Sequence, residues 1–235
     1  MNGIVVRNRP AIDRDVAQRF ERLGSATVHE AMGREGLCHA YLRPIYSGAC
    51  VAGAAVTVLV PPGDNWMLHV AIEQCRPGDV IVVACHSDCT DGYVGDLLAT
   101  SMQTRGVVGL VLDVGCRDVA TLRDMKFPVW AKAISSRGTV KASLGSVNVP
   151  VVCAGVRVCA GDLVVADDDG VVVVQHSQVE EVLSKSEERE RNEHLKRARL
   201  AAGELGIDIY AMREPLKAKG LSYFDSLEEA LEGTR

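Results

Sequence analysis

The chain has 235 residues, of which 47% are hydrophobic and 24% charged, and it carries a formal net charge of −5. That length suits one large globular domain or a domain with an extension, and the acidic balance argues against a general nucleic-acid surface, which needs clustered Lys and Arg. Aromatic residues reach only 4%, so the core has to be built from Val, Leu, Ile and Ala.

The opening "MNGIVVRNRPAIDRD" lacks a basic stretch followed by a long apolar one, so no secretion signal is expected. No apolar run approaches the ~18 residues of a membrane span. Most of the eight cysteines lie inside strand-like runs such as "VVCAGVRVCAG". The expectation is a cytoplasmic protein with reduced thiols, no membrane partner and no nucleic-acid partner.

In chain order, residues from about 12 to 36 read as a helix closed by the glycines of "EAMGREG". Short valine-rich runs follow, "GACVAGAAVTVLV", "GDVIVVACH", "GVVGLVLDVG", "FPVWAKAI", "VPVVCAG" and "GDLVVADDDGVVVVQ", whose length and β-branching predict strands. Helix-like "NWMLHVAIEQC", "DLLATSMQTRG" and "DVATLRDM" fall between some of them, which implies a parallel or mixed sheet with right-handed crossovers. Asp167-Asp168-Asp169-Gly170 looks like a metal cluster, but an Asp-Gly hairpin turn explains it more simply. From Ser177 the sequence turns helix-forming and heavily charged, with few apolar positions between Leu183 and Leu195, so this helix needs solvent or another subunit on its faces. The division expected is an α/β core over 1–176 and a helical extension over 177–235 packing on a neighbouring subunit.

"GDLLATSMQTRGVVGLVLDVGCRDV" places charge at both edges of an apolar segment. The strand reading, Val107 to Val114 with Gly115 opening the turn, puts Arg117 and Asp118 just past a strand's C-terminal end, where α/β sheets bind ligands. Gly95 and Asp96 open a helix whose first N–H groups, on Leu97 and Leu98, suit a carboxylate or phosphate. Taken singly, Asp96 reads as a helix cap and Arg117-Asp118 as a surface pair of little value. Taken together they offer an oxygen ligand for a hard cation, a fixed cation and an anion-binding helix end. Mg²⁺ needs few protein ligands because it keeps waters and substrate oxygens. A 2-oxo acid chelating such a metal leaves an enolate when a neighbouring C–C bond breaks, and a metal with an arginine stabilises it.

The phrases "TVHEAMGREGL", "PPGDNWMLHVAIEQCRPGD", "CTDGYVGDLLATS", "GCRDV", "GTVKASLGSVNVPVVCAG" and "AAGELGIDIYAMRE" resemble the 4-hydroxy-4-methyl-2-oxoglutarate/4-carboxy-4-hydroxy-2-oxoadipate aldolases, over nearly the whole chain. The resemblance implies an RraA-like, swivelling β/β/α fold shared with the ribonuclease E activity regulator. It further implies a Mg²⁺- or Mn²⁺-dependent lyase of bacterial aromatic-acid breakdown, built as a trimer-based homohexamer. Asp118 would be the metal ligand, Arg117 the contact to the keto oxygen, and the Leu97 and Leu98 amides, following Gly95, the holders of the pyruvate carboxylate. Asp96, with Glu193 of a neighbouring subunit, would position a water for proton transfer. Cys116 stands where relatives carry an aliphatic residue. The rival readings are a ribonuclease E inhibitor, whose branch lacks the acid after the arginine and the long C-terminal helix, and a dedicated oxaloacetate decarboxylase. Lys132 is a candidate Schiff-base lysine, set against an ordinary strand-edge lysine. Cys85-His86-Ser87-Asp88-Cys89 has soft ligands but no second pair for a structural zinc. His29, Glu30 and His69 sit on helices with no role assigned.

Overall fold

A computed structural model describes residues 3–232. Residues 1–2 and 233–235, the outermost ends of the two expected divisions, lie outside it. By internal contacts the chain forms two units, Met1–Arg189 and Glu190–Arg235.

The first unit runs through β1 (Ile4–Val5), α1 (Arg14–Ala31), β2 (Arg43–Pro44), β3 (Val51–Val60), α2 (Trp66–Gln74), β4 (Asp79–Cys85) and β5 (Gly92–Val94). It continues with α3 (Asp96–Thr104), β6 (Gly109–Cys116), α4 (Val119–Asp124), β7 (Val129–Ile134) and β8 (Ser146–Val147). The hairpins β9 (Val151–Cys153) with β10 (Val156–Val158), and β11 (Leu163–Ala166) with β12 (Val171–Val174), lead to α5 (Val179–Ala201).

The strand order is β1-β8-β3-β4-β6-β7-β2, with β5 added to β6 and the β11–β12 hairpin added to β3. Pairing along β3-β4-β6-β7 is parallel, as α-helical crossovers require. Alternation along each strand sorts the side chains. Ile81 and Val83, with Leu110 and Leu112, face a core closed by Leu68 of α2, Leu98 and Met102 of α3 and Leu122 of α4. Val80, Val82 and Val111 face the opposite way, into a core around Trp130, Val164 and Val173. Both faces are covered, which explains why the strands read as unbroken apolar runs.

Three expectations are corrected. The first helix is not continuous: Gly24 has φ 76°, ψ 162° and breaks α1. Asp167 explains the break, because its carboxylate accepts from Ser25 N and Ser25 Oγ, both at 2.6 Å, and so starts a second helical piece. Second, β6 runs to Cys116, and Gly115 lies inside it, at a register shift, where a Cβ would overlap the Thr90 carbonyl. Third, the strand β5, missed in the sequence, is what pairs with that end of β6. The Asp167–Gly170 segment is the hairpin turn expected, with Asp167 Oδ1 accepting from Asp169 N at 3.0 Å and Gly170 N at 3.3 Å.

In α5, Val179, Val182, Leu183 and Ser186 are buried, so its first turns belong to the first unit. The second unit holds the rest of α5, then α6 (Gly206–Ile209), α7 (Arg213–Ala218) and α8 (Leu227–Glu232). Leu195, Leu205, Tyr223 and Leu227 there are all more than half exposed. No helix among the described residues is long and apolar enough to cross a membrane.

Asp167 serves a helix start and a hairpin at once. Asp167→Ala should therefore cost ~2–3 kcal/mol, above a single cap, read as a lower urea midpoint with unchanged m-value.

Candidate active site

The C-terminal ends of β5 and β6 hand the chain to α3 and α4, and there Gly95, Asp96, Leu97, Leu98, Arg117 and Asp118 come together. Gly95 is the N-cap of α3, with extended backbone and no side chain to cap with. Asp96 is the first helical residue. Its Oδ1 accepts from Leu97 N at 2.8 Å, so that amide, expected to be open to a ligand, is engaged by the neighbouring carboxylate. Leu98 N has no hydrogen-bond acceptor among the described residues and remains the open donor of the first turn.

Arg117 follows β6 and is fixed by its own N–H donating to Val94 O at 2.9 Å. Three glycines flank its side chain: a Cβ at Gly92 would lie 3.2 Å from Arg117 Cβ, one at Gly95 3.2 Å from Cγ and one at Gly138 3.1 Å from Nη1. Asp118 has left-handed backbone, φ 59°, ψ 35°, and begins α4 without a side-chain cap bond. Its carboxylate turns instead toward α3: Oδ2 accepts from Asp96 N at 3.3 Å and lies 3.7 Å from Arg117 Nε. Both side chains are roughly half exposed, at 48% and 40%. The surface-pair reading of Arg117 and Asp118 is thus incomplete, because Asp118 reaches across to a second element.

Gly95, Asp96, Leu97, Leu98 and Arg117 line a cleft of about 110 Å³ with Asn65, His69, Tyr93 and Lys141, and Asp118 adjoins it through Asp96 and Arg117. Asn65 Nδ2 donates to Tyr93 O at 2.9 Å, while Tyr93 Oη donates to Pro61 O at 2.7 Å and accepts from Gly63 N at 2.6 Å. Asp64, 1% exposed, ties in the loop that carries Lys141, accepting from Ala142 N and Ser143 N, each at 2.7 Å. Burial alone would raise the Asp64 carboxyl, but hydrogen bonds from Trp66, Ala142 and Ser143 and the Lys141 charge outweigh it and hold it low. Burial, then the charge of Lys141, lowers the His69 imidazole. Nothing local in the sequence singles out Asn65, Tyr93 or Lys141, because their segments reach the cleft through these tertiary bonds.

Glu193 lies on α5 in the second unit. Glu30 is held by Arg34 at 3.3 Å and Arg189 at 3.2 Å. Lys132 pairs with Asp88, lies 3.8 Å from Asp113 and sits over the Tyr41 ring. The Asp88 hydrogen bond raises its pKa despite burial, the reverse of what a Schiff-base amine requires. Cys116 is fully buried, its thiol pushed up to about 11 by burial and by Asp118, so it acts as a small apolar residue. Cys85 Sγ lies 3.7 Å from Tyr93 Oη. No group of three His, Cys, Asp or Glu placed to hold a metal exists among the described residues. Asp118, with Asp96 beside it, is an all-oxygen set of one or two carboxylates, which fits a cation such as Mg²⁺ or Mn²⁺ that completes its shell with water and substrate.

An open α/β sheet with an arginine, a carboxylate and a helix start at its C-terminal rim is the kind of place where α/β folds bind small ligands. The chain belongs to the RraA-like family, described as Aldolase/RraA, whose pattern it matches over residues 25–173. It is 30% identical to a Halalkalibacterium halodurans protein named "Putative 4-hydroxy-4-methyl-2-oxoglutarate aldolase", over 83% of this chain and 93% of that one. A Burkholderia multivorans protein of the same name is 37% identical over 56% of this chain and 80% of its own. Among solved structures, Streptomyces coelicolor RraAS2, described as an unusual member of the RNase ES inhibitor RraA protein family, superposes with a TM-score of 0.71. It is 29% identical, covering 81% of this chain and 99% of that one. The RraA-like fold with a C-terminal helical region is therefore as expected, and the family includes both aldolase-named and inhibitor-named members.

A Cβ at Gly95 would overlap the Asp118 carboxylate. Gly95→Ala should leave the thermal midpoint within a few degrees but lower turnover at least tenfold, because it moves Asp118 off α3 while disturbing only the rim.

Proposed function

We propose that the chain is a divalent-metal-dependent aldolase. It would cleave 4-carboxy-4-hydroxy-2-oxoadipate to oxaloacetate and pyruvate, and 4-hydroxy-4-methyl-2-oxoglutarate to two pyruvates, in cytoplasmic aromatic-acid catabolism. One observation carries the reading: Asp118 starts a helix yet spends its carboxylate beside Arg117 and the α3 N-terminus. A carboxylate used only for capping would bond its own helix.

Arg117 is placed to donate to the keto oxygen of a 2-oxo acid and to stabilise the negative charge gathering there as the C3–C4 bond breaks. Leu98 N–H and the α3 dipole favour the adjacent carboxylate. A Mg²⁺ or Mn²⁺ held by Asp118, with Asp96 beside it, would supply Lewis-acid polarisation of the substrate oxygens. The proton leaving the 4-hydroxyl goes to a water positioned by Asp96 and by Glu193 of a neighbouring subunit. The bond electrons pass into the enolate of pyruvate, and the same water returns a proton to its C3. Oxaloacetate uses the same electron sink, so decarboxylation is a side activity. The exposed apolar side chains of the second unit, Leu195, Leu205 and Leu227 among them, support burial against another copy in a trimer-based homohexamer. The regulator reading is weaker, because the chain keeps Asp118 and the helical region after 177 that the resemblance assigns to the aldolase branch.

Pyruvate release from either substrate should stop in EDTA and return with Mg²⁺ or Mn²⁺, and Asp118→Asn should lose most turnover while staying folded. Full activity in chelator, with borohydride trapping substrate on Lys132, would replace this mechanism with an imine one.

Glu193→Gln should lower turnover by ~10²–10⁴, the usual worth of a general acid-base group, with metal affinity near wild type. Mixing Glu193→Gln with Asp96→Ala chains should restore activity once mixed oligomers form. Mixed oligomers that stay inactive would count against a site shared between subunits.

A further inference from the structure

On the aldolase reading, the site described so far accounts for only one end of the substrate. Arg117, Asp118 and the start of α3 take the 2-oxo acid unit, whereas both proposed substrates carry another carboxylate beyond the bond that breaks. We propose that Lys141 determines specificity by pairing with that distal carboxylate, making this cleft selective for 4-hydroxy-2-oxo acids that are acidic at both ends.

Several observations converge on Lys141. It lines the same cleft as Arg117, Asp96 and Leu98. It has no ion-pair partner within 4 Å among the described residues, whereas Lys132 and Lys185 both have one. Its loop is not an ordinary mobile surface turn. Val140 N donates to Gly63 O at 2.8 Å, Asn65 N donates to Val140 O at 3.1 Å, and Asp64 accepts from Ala142 and Ser143. Asp64 is itself anchored by Trp66 N at 2.8 Å. One buried carboxylate therefore ties the first residue of α2 to the 142–143 backbone and so holds the Lys141 loop at the cleft. His69, another lining residue of this cleft, has its imidazole lowered by burial and then by the Lys141 charge. Arg117 is occupied by Asp118 and by the keto end, so Lys141 is the cation left for the far end.

The test compares 4-hydroxy-4-methyl-2-oxoglutarate with 4-hydroxy-4-methyl-2-oxopentanoate, which replaces the distal carboxylate by a methyl group; both release pyruvate on cleavage. Lys141→Met should lower kcat/KM for the first by roughly tenfold to a hundredfold, the worth of one charge-assisted hydrogen bond, mainly through KM. Cleavage of the second, and exchange of pyruvate methyl protons with solvent, should stay within about twofold of wild type. Lys141→Arg, which keeps the charge, should retain most of the preference. Equal losses on both substrates, or no loss on either, would overturn the assignment. A wild-type protein that releases pyruvate from neither would instead overturn the aldolase reading, and the assignment with it.

Discussion

Asp118 leaves β6 in a left-handed backbone conformation, and everything at the rim is arranged around where that sends its carboxylate. For a residue with a Cβ this conformation costs of order 1 kcal/mol. The return is a carboxylate directed away from the helix it begins and toward the helix that precedes its strand. That approach works only because Gly95 has no side chain in the way. The bulge that brings β5 onto the end of β6 in turn depends on Gly115, packed against the Thr90 carbonyl. A strained aspartate and two glycines thus hold two helix starts and one strand end in a single small region.

The charges there are close to balance. Asp96, Arg117 and Lys141 share the cleft with the positive end of the α3 dipole, and Asp118 adjoins it beside Arg117. The carboxylates alone would repel an anionic substrate and the cations alone would repel a metal. On the aldolase reading proposed above, a divalent cation and an anionic acid would enter together, each offsetting the other's charge, while the residual exposure of Arg117 and Asp118 limits the desolvation cost. The buried machinery behind this rim is apolar, with polar groups such as Asp64 and Asn65 used to position loops. This separation lets the site carry opposed charges without weakening the core.

Much of the architecture was legible from sequence because its signals are local. Valine-rich runs bounded by glycine gave the central strands, the Asp-Gly turn gave the β11–β12 hairpin, and Arg117 with Asp118 fell just past a strand's end, though that strand runs two residues further, to Cys116, than its sequence pattern indicates. What was not legible depends on partners far away in the chain. The break at Gly24 follows from Asp167, 143 positions later. Leu97 N–H looked open to a ligand because nothing local says that Asp96 will turn back onto it. Lys141, in an unremarkable loop, reaches the cleft through hydrogen bonds to Asp64, some 77 residues earlier. Periodicity and turn chemistry cannot encode such pairings, which arise only when separate elements close on one another.

The family unites proteins named as aldolases with proteins named as ribonuclease inhibitors, so the fold by itself does not decide between chemistry and binding. The difference has to lie in what the rim presents. A surface that inhibits by contact needs shape and exposed charge, and gains nothing from an aspartate held in a costly backbone conformation beside a glycine that admits it. A site that must stabilise charge appearing during a reaction needs just such fixed groups, set in place before the substrate arrives, because reorganising them at the moment of bond breaking would cost rate. Arg117 is flanked by three glycines and Asp118 is freed from capping, so neither has to move far to act. That preorganisation costs backbone strain and conformational entropy, a cost that the proposed aldolase reading would account for and that a contact surface would not.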